Sequence, residues 1–361
     1  MASRVIQWST GNVGRHALRA IIGHPELELA GLWVHSAAKV GRDAGELAGL
    51  DPTEVFATDD VEALLALDAD CVCYTATADL RPDDALDDLC RILESGLNVV
   101  STSIVPLVHP RGGDAAVQAM VDRLEQACRA GASSCLTSGI DPGFGNDLLP
   151  ITLLGVCARV DSVRVQEILN YATYEQPEVL FDTMGFAQPL DHTPLLLLPG
   201  ILAFAWGGAI RMMAEALGVE LEEIREVSEK AALDHDVEIG LGPIPAGTQA
   251  GLRFEVQGIV GGEPRIIVEH VTRLHDDVAP DWPSQGDGQG FYRVLIEGTP
   301  SMTCTLEIEG PDGDHNTGGL IVTVMRVLNS IPAVCAAPPG VLSALDLPII
   351  GGHGAMDHAI A

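Results

Sequence analysis

Residues 5–14 read V-I-Q-W-S-T-G-N-V-G, and this stretch decides the fold. Its first half is an apolar run typical of a buried strand. Gly11 and Gly14 follow at G-x-x-G spacing, and helical periodicity begins at Val13. Glycines let a backbone approach a pyrophosphate, while a helix N-terminus offers free N–H groups and the positive end of its dipole. The stretch therefore predicts the first strand, turn and helix of a dinucleotide-binding domain.

A full G-x-G-x-x-G pattern would need a glycine at position 9, where this chain has Ser9. The shorter G-x-x-G also occurs in tight strand–helix turns that bind no ligand, so the prediction depends on the elements that follow. If a cofactor binds here, the turn and the first helical residues hold its pyrophosphate: Thr10, Gly11, Asn12, Val13 and Gly14.

The end of the second predicted strand, residues 27–34, indicates which nicotinamide cofactor is bound. In NAD-binding domains an acidic residue near this point holds the ribose hydroxyls. Here residues 35–39 read H-S-A-A-K, without a carboxylate but with Ser36 and Lys39, one of only two lysines in the chain. A 2′-phosphate suits this pair, so we expect NADP, with NAD left open. The alternative is a solvated turn that happens to contain a lysine.

Strands and helices then alternate over ~140 residues, which predicts a doubly wound parallel sheet, the Rossmann arrangement. Ligands of such sheets lie across the carboxyl ends of the strands. Two later strands end in small and hydroxyl residues, which extend the expected cofactor site to Thr75, Ala76, Thr77, Ser101 and Thr102. The rigid turn S-G-I-D-P-G-F (138–144) closes the domain, and we expect it to pass the nicotinamide end.

Beyond this turn the pattern changes to that of an α+β domain with a largely antiparallel sheet. We predict helices at 207–217 and 221–233 and strands at 162–171, 252–260, 265–274, 291–297 and 302–309. The expected domains are a Rossmann domain (1–145), a substrate and dimerisation domain (146–315), and a C-terminal helix and tail that return to the first domain (316–361). That return would bring Asn316 and Thr317, at the start of the helix, to the substrate.

Charge and composition exclude several classes of protein. The 361 residues include 51 acidic and 20 basic ones, a net charge of −31, which argues against nucleic-acid and anionic-membrane partners. Eight dispersed cysteines and the lack of a signal-peptide pattern predict a cytoplasmic protein. The apolar run 194–206 is too short for a bilayer. The tail histidines His353 and His358 lack carboxylate or cysteine partners at ligand spacing, so we expect no metal site.

Five motifs together resemble one family. They are Q-W-S-T-G-N-V-G-R (7–15), H-S-A-A-K-V-G-R-D-A-G-E-L-A-G (35–49), G-I-D-P-G-F (139–144), A-P-D-W-P (279–283) and L-N-S-I-P-A-V-C-A-A-P-P-G (328–340). They resemble the 2,4-diaminopentanoate dehydrogenase family, which includes native amine dehydrogenases and dihydrodipicolinate-reductase-like chains. The resemblance implies an NAD(P)-dependent homodimeric enzyme that interconverts a small amine and its carbonyl compound through an imine. It also implies that Ser36 and Lys39 meet the 2′-phosphate and that residues 140–144 lie beside the nicotinamide and the substrate.

One departure from the family concerns the acid–base group. The resemblance implies that amine dehydrogenases of this family use a glutamate shortly after the strand that here reads N-V-V-S-T-S. This chain instead continues I-V-P-L (104–107). Reductive amination needs a group that takes the ammonium proton and stabilises a cationic iminium. Glu167, Glu175 and Asp182 are candidates to replace it, and for each the alternative is a solvated surface acid.

Two other functions remain open, and a third is disfavoured. A carbonyl or imine reductase that does not use ammonia would take its proton from Tyr171, Tyr174 or His315. A non-catalytic NADP-binding protein would account for the missing glutamate. True dihydrodipicolinate reductase carries an H-H-x-x-K pattern, which this chain lacks. Under the family reading the substrate pocket comprises Ile140, Asp141, Phe144, Tyr171, Tyr174, Asn316 and Thr317.

Overall fold

The computed structural model describes residues 2–78, 81–286 and 288–356. The chain divides into two compact units. The first comprises the described residues up to Phe144 together with those from Leu320 onward, and the second is Gly145–Gly319. His358, one of the two tail histidines, lies outside the described residues.

The first unit is a parallel sheet covered by helices. Its strands are β1 (Ser3–Trp8), β2 (Leu27–Trp33), β3 (Ala57–Thr58), β4 (Cys71–Tyr74), β5 (Asn98–Ser101), β6 (Ser134–Thr137) and β15 (Gly340–Leu342). Its helices are α1 (Asn12–Gly23), α2 (Ala44–Ala48), α3 (Val61–Leu65), α4 (Pro82–Glu94), α5 (Ala115–Gly131) and α9 (Ile331–Ala336), with 3-10 turns at Val105–Val108 and Ala344–Asp346. Helix α8 (His315–Leu328) contains the boundary between the units.

Within the described residues this sheet has seven strands in the order β15-β6-β5-β4-β1-β2-β3, and its paired strands are parallel. The predicted doubly wound parallel sheet is confirmed. Strands buried on both faces read as continuous apolar runs, which is why β1 and β4 were legible in the sequence. The short strand β15 was not predicted, because three residues give no periodicity to detect.

The segment after residue 320 completes the core of this unit. Val324, Val327 and Leu328 of α8 and Ile331 of α9 pack in one buried cluster with Val5 and other residues of the sheet and of α1. Among the described residues, one stretch, His315–Ala336, has the length and composition of a membrane span, and 39% of its most apolar part is buried. Its buried residues include the four named above.

The second unit contains a mixed sheet. Its strands are β7 (Arg159–Asn170), β8 (Glu223–Ala232), β11 (Gln249–Val260), β12 (Glu263–Arg273), β13 (Gly290–Thr299) and β14 (Met302–Leu306), with a separate hairpin of β9 (Val237–Ile239) and β10 (Gly242–Ile244). Over the part of the chain that the structure describes, the order is β14-β13-β7-β12-β11-β8. Only the β7–β12 pair is parallel among these neighbours, so the largely antiparallel sheet is confirmed.

Helices of the second unit pack on one face of this sheet. They are α6 (Leu148–Leu154), α7 (Ile201–Leu217), a π-helical turn at Glu178–Thr183 and a 3-10 turn at Leu195–Leu197. Ile210 and Met213 of α7 are buried in the same cluster as Phe254 and Val256 of β11. The close approach of α7 to the sheet needs Gly258, where an added Cβ would lie 2.7 Å from Ile210.

The predicted helix at 221–233 is wrong, because this stretch forms β8. Its Glu, Lys and Ala residues favour a helix intrinsically, but ten residues pair with β11 along nearly the whole strand. Side chains then alternate, and Glu226 turns toward α7, where it accepts hydrogen bonds from the N–H groups of Gly200 and Ala203. Strand pairing and this helix cap outweigh the local preference.

The opposite face of the sheet carries a network of charges. Arg164 Nη1 lies 2.7 Å from both Glu255 Oε1 and Glu269 Oε2. Arg253 contacts the same two carboxylates, at 3.3 Å and 2.8 Å. The Glu269 side chain is only 2% exposed, so its charge depends on both arginines and on the amide of Gln166. The network thus joins carboxylates of β11 and β12 to arginines of β7 and β11.

Candidate active site

The turn after β1 is held by hydrogen bonds from the protein itself. The fully buried Gln7 donates from Nε2 to the Ser9 carbonyl at 2.9 Å and to Thr75 Oγ1 at 2.8 Å. Thr75 Oγ1 in turn donates to the Trp8 carbonyl at 2.9 Å. Ser9 adopts a left-handed backbone (φ 84°), which reverses the chain within one residue. The turn therefore has a defined shape before any ligand arrives.

The two glycines of this turn have different surroundings. A Cβ on Gly14 would lie 2.5 Å from the Ser9 carbonyl oxygen and 2.9 Å from Thr75 Oγ1, so only glycine fits. A Cβ on Gly11 would meet nothing within 4 Å. Gly11 is also the N-cap of α1 and brings no side chain to cap it. Open space in front of uncapped helical N–H groups fits a pyrophosphate, while Val13 packs into the core and offers only its backbone.

Lys39 lies beside this turn. Its Nζ donates to the carbonyl and the hydroxyl of Thr10, at 3.2 Å and 2.9 Å. Ser36 is exposed, and its carbonyl accepts from the Lys39 backbone N–H at 2.9 Å. Arg42, which is exposed, lies three residues further along the chain, and its backbone N–H donates to the Lys39 carbonyl. The prediction from the sequence did not include Arg42.

The hydroxyl residues after β4 and β5 divide into two groups. Thr75 and Ser101 are buried and bonded to their own chain, Thr75 as above and Ser101 as acceptor from the Ser103 N–H at 2.9 Å. Thr77 is exposed and Thr102 is half-buried, while Ala76 is buried and accepts from Ser103 Oγ. Of the predicted cofactor residues here, Thr77 and Thr102 thus present side chains to solvent.

The loop where the family glutamate is expected is apolar and strained. Ile104 is buried and has φ 56°, a left-handed conformation that β-branched residues rarely adopt. Leu107 in the following 3-10 turn is fully buried. Such a conformation costs about 1–3 kcal/mol and persists only where the surroundings determine it. This loop supplies no carboxylate, so the departure seen in the sequence stands in the structure.

The turn 138–144 is tied to the C-terminal segment of the same unit. Ser138 Oγ donates to the Gly143 carbonyl at 3.1 Å, and Gly143 (φ 133°) has no room for a side chain. Thr323 and Arg326 of α8 bind the Ile140 N–H and the Gly143 carbonyl, both at 3.3 Å. Within this turn Ile140 is buried, while Asp141 and Phe144 are half-buried.

In the second unit one of the three candidate carboxylates is buried. Glu167 on β7 is 4% exposed, whereas Glu175 and Asp182 are exposed. Glu167 Oε1 lies 3.4 Å from the hydroxyl of Tyr171 and 3.4 Å from Nδ1 of His270 on β12. The register explains this contact, since Glu167 and His270 are direct neighbours in the parallel β7–β12 pair.

His270 is held on every side. Asn146 Nδ2 lies 3.2 Å from Nε2 of the ring, so Nε2 accepts from the amide and the ring proton lies on Nδ1, toward Glu167. The ring stacks on Phe254 (4.5 Å, 10°) and meets Trp206 edge-on at 4.7 Å. Sequence reasoning missed His270 and Asn146; the one signal was a Glu-His pair inside an otherwise apolar strand.

The remaining predicted residues surround the N-terminus of α8. His315 is 2% exposed and stacks 6.3 Å from Tyr292. Burial lowers the pKa of His315 below 6.5, against the opposing effects of the charge of Glu167, a hydrogen bond to Ile308 and the charge of Asp314. The same contacts also fit a purely structural role, in which His315 packs at the start of α8.

Hydrogen bonds fix the other residues of this region. Asn316 Nδ2 donates to Thr173 Oγ1 at 2.7 Å, and Asp314 accepts from the Thr317 N–H at 2.7 Å as the cap of α8. Tyr171 and Tyr174 stack at 4.6 Å, with the Tyr174 hydroxyl accepting from Gln176. The second unit thus brings Glu167, Tyr171 and His270 together and leaves Glu175 and Asp182 outside.

Comparison with known proteins shows the relatives of this chain. The sequence profile described as 2,4-diaminopentanoate dehydrogenase C-terminal domain matches residues 144–359. The chain is 48% identical over 352 residues to a protein named amine dehydrogenase from Streptomyces virginiae, which covers 97% of both chains. It is 28% identical over 298 residues to a 2,4-diaminopentanoate dehydrogenase from Acetoanaerobium sticklandii, 82% of this chain and 78% of that one. An amine dehydrogenase structure from Mycobacterium smegmatis shares the fold, with a TM-score of 0.77 at 19% identity over 98% of both chains.

Proposed function

Because the chain belongs to the 2,4-diaminopentanoate dehydrogenase family, we propose that this NAD(P)-dependent amine oxidoreductase uses NADP and interconverts a small amine with its ketone or aldehyde through an imine. The relatives' names support amines as the substrate class. Two observations on this chain, one in each unit, support the use of NADP and the amine chemistry. They are the cationic corner formed by Lys39 and Arg42 beside the glycine turn, and the buried carboxylate of Glu167 on β7.

We assign cofactor binding to the first unit. Gly11 to Gly14 would hold the pyrophosphate, because the helix there is uncapped and a Cβ at Gly11 would point into open space. Lys39, Ser36 and the neighbouring Arg42 would hold the 2′-phosphate. When bound, the nicotinamide accepts or supplies the hydride. In a chain of net charge −31, such a local cationic corner favours an anionic group at this point.

Glu167 carries the proposal for the chemistry. A carboxylate buried beside a phenol and an imidazole can take a proton from a substrate ammonium, which leaves the free amine with a lone pair that assists hydride loss. In the reductive direction the same negative charge stabilises the cationic iminium. We therefore propose that Glu167 replaces the glutamate that is missing after Ser103. His270 and Tyr171 would orient it, while Glu175 and Asp182 lack comparable burial.

The remaining parts of the proposal concern the substrate, assembly and compartment. The other proposed substrate-pocket residues are Ile140, Asp141, Phe144, Tyr171, Tyr174, Asn316 and Thr317.

We propose a homodimer, supported by a sheet face in the second unit that bears the charge network and exposes Val227. A cytoplasmic location is supported by the eight cysteines, all within the described residues and all thiols.

The direct test is turnover by the purified full-length protein. Short-chain amines would be screened with NADP⁺ and with NAD⁺, and ketones with NADPH in the presence and absence of ammonia. We expect amine-dependent reduction of NADP⁺, slower with NAD⁺, and ketone reduction only with ammonia. Ketone reduction without ammonia would instead indicate a carbonyl reductase with Tyr171 as a proton donor. Cofactor binding without turnover on either panel would contradict the amine proposal.

A further inference from the structure

A group of side chains that can ligate a metal ion lies at one end of the second unit's sheet, outside the region around Glu167. Strands β8 and β12 both pair antiparallel with β11, so they run in the same direction and end at the same edge. His235 follows β8 by three residues, and His275 and Asp277 follow β12 by two and four. The topology therefore brings together two histidines that are 40 residues apart in the sequence.

The three side chains lie close together. Each offers one ligand atom, and these atoms all lie within 4.8 Å of one another. The two imidazole rings meet edge-on with centroids 5.8 Å apart, and His275 Nδ1 lies 3.6 Å from Asp277 Oδ2. Ligands of a tetrahedral zinc ion are separated by about 3.4 Å at Zn–N and Zn–O distances of about 2.1 Å. His235 and Asp277 are exposed and His275 is half-buried, so rotations of the two exposed side chains can reach that spacing.

The donor set selects the type of ion. Two imidazoles and one carboxylate suit Zn²⁺ and similar borderline cations, whereas Mg²⁺ and Ca²⁺ prefer oxygen ligands. His235 Nδ1 contacts Asp234 Oδ1 at 2.9 Å, the carboxylate–histidine pairing that orients imidazole ligands and makes them more basic. A site with three protein ligands leaves a fourth position for water.

We propose that His235, His275 and Asp277 bind one zinc-class divalent cation that clamps the turn after β12 to the turn after β8. The residue between the last two ligands shows what such a clamp would hold. Asp276 Oδ1 accepts from Asn170 Nδ2 at 2.9 Å and from Gln285 Nε2 at 2.6 Å. Asn170 directly precedes Tyr171 in the chain. The cation would thus hold the two residues on either side of Asp276, and Asp276 itself supports the end of β7 through Asn170.

Sequence spacing alone gives no sign of this cluster, and the expectation that the chain has no metal site rested on spacing. The ligands come from two turns that only the pairing order of the sheet brings together. The proposal is independent of amine turnover, because none of the three ligands belongs to the proposed catalytic or cofactor residues. Metal binding is therefore measured without any assay of activity.

The test uses the full-length protein, freed of any affinity tag and stripped with a chelator that is then removed. Equilibrium dialysis against ZnCl₂ near neutral pH is expected to give one tightly bound zinc per chain. Replacing an outer-shell partner of a metal site typically weakens binding by about 10- to 100-fold, so loss of a direct ligand in H275N or D277N should cost at least about tenfold. The matched control is H192N, an exposed histidine of the same unit outside the cluster.

Thermal unfolding supplies a second readout. Zinc should raise the unfolding temperature of the wild type and of H192N but not that of H235N, since a ligand that binds only the folded state stabilises it. Equal zinc affinity in the wild type, H275N and D277N would overturn the proposal. So would equal loss of zinc in H192N, because binding would then be spread over surface histidines. Neither result would bear on the amine dehydrogenase proposal.

Discussion

Nδ1 of His270 lies 3.4 Å from Oε1 of Glu167, and the two side chains are 3% and 6% exposed. The pairing register of β7 and β12 sets this contact, and Asn146 on the far side of the ring sets its direction. The imidazole N–H and the Tyr171 hydroxyl both lie beside this carboxylate oxygen, so the buried oxygen has polar partners within its own unit.

Substituting Glu167 tests whether this carboxylate is the acid–base group. Removal of a general base typically costs about 10²- to 10⁴-fold, so kcat/KM for amine oxidation by E167Q should fall by about 10²-fold or more. The affinity for NADPH, measured by fluorescence titration, should stay near that of the wild type. E175Q is the matched control, because Glu175 is exposed and its loss should leave turnover unchanged. Wild-type turnover in E167Q would eliminate Glu167 from the chemistry.

Lys39 is predicted to read the 2′-phosphate of the cofactor. Hydrogen bonds to charged groups contribute about 1.5–3 kcal/mol, so K39A should raise the KM for NADP⁺ by about tenfold or more and leave the KM for NAD⁺ unchanged. The other lysine provides the control: Lys230 belongs to the second unit, where its Nζ donates to the His192 carbonyl, and K230A should keep both values. An equal rise for both cofactors in K39A would mean that Lys39 only supports Thr10.

Gly11 and Gly14 are predicted to respond differently to alanine. In G14A the new methyl group would clash with the Ser9 carbonyl, and the turn would have to shift. G14A should therefore lower the thermal unfolding temperature as well as the cofactor affinity. In G11A the methyl group enters open space, and the backbone (φ −70°, ψ −165°) accepts any residue. G11A should cost at most about 1 kcal/mol of stability but weaken NADPH binding, since the methyl group would occupy the place of the pyrophosphate.

Differential scanning fluorimetry and NADPH titration on both variants separate these effects. Cofactor affinity unchanged in a folded G11A protein would argue that the turn serves the fold alone. That outcome corresponds to the steric alternative that the G-x-x-G spacing left open, and it would also remove support from the assignment of the first unit to cofactor binding.

The residues proposed to bind the cofactor could be named from the sequence because most of them are contiguous there. The turn 9–14 and the corner 35–39 each depend on local backbone geometry, and the family resemblance drawn from five motifs is confirmed by the profile match and the full-length relative. The first sheet was predictable for a related reason, since its strands are buried on both faces and stand out as apolar runs.

For the second unit the sequence offered only a choice among candidate acids for the proposed chemistry. Glu167, Glu175 and Asp182 are equivalent acids in sequence, and the burial that separates them arises from strand pairing. His270 is more than one hundred residues from Glu167, so no spacing links them. The same limit explains β8, where charged residues that favour a helix are held in a strand by pairing with β11.

The charge network on the outer sheet face predicts a specific loss of stability in acid. Burial opposes ionisation of Glu255, but hydrogen bonds from Arg164 and Gln257 and the charges of Arg164 and Arg253 lower its pKa below the usual 4.5. A carboxyl group with a lower pKa in the folded chain stabilises the fold above its unfolded pKa, and this contribution disappears as the pH falls below about 4.5. E255Q should therefore be less stable than the wild type near pH 7 and should lose less stability on acidification.

Urea unfolding between about pH 7 and about pH 3.5 measures both quantities. E223Q is the control, because Glu223 pairs with Arg225 at the surface and such pairs contribute little. Parallel stability–pH curves for the wild type and E255Q would contradict the prediction. The neutral-pH loss in E255Q has a further cause beyond the missing charge: Arg164 and Arg253 would then share the single carboxylate of Glu269, which leaves partly buried positive charge without compensation.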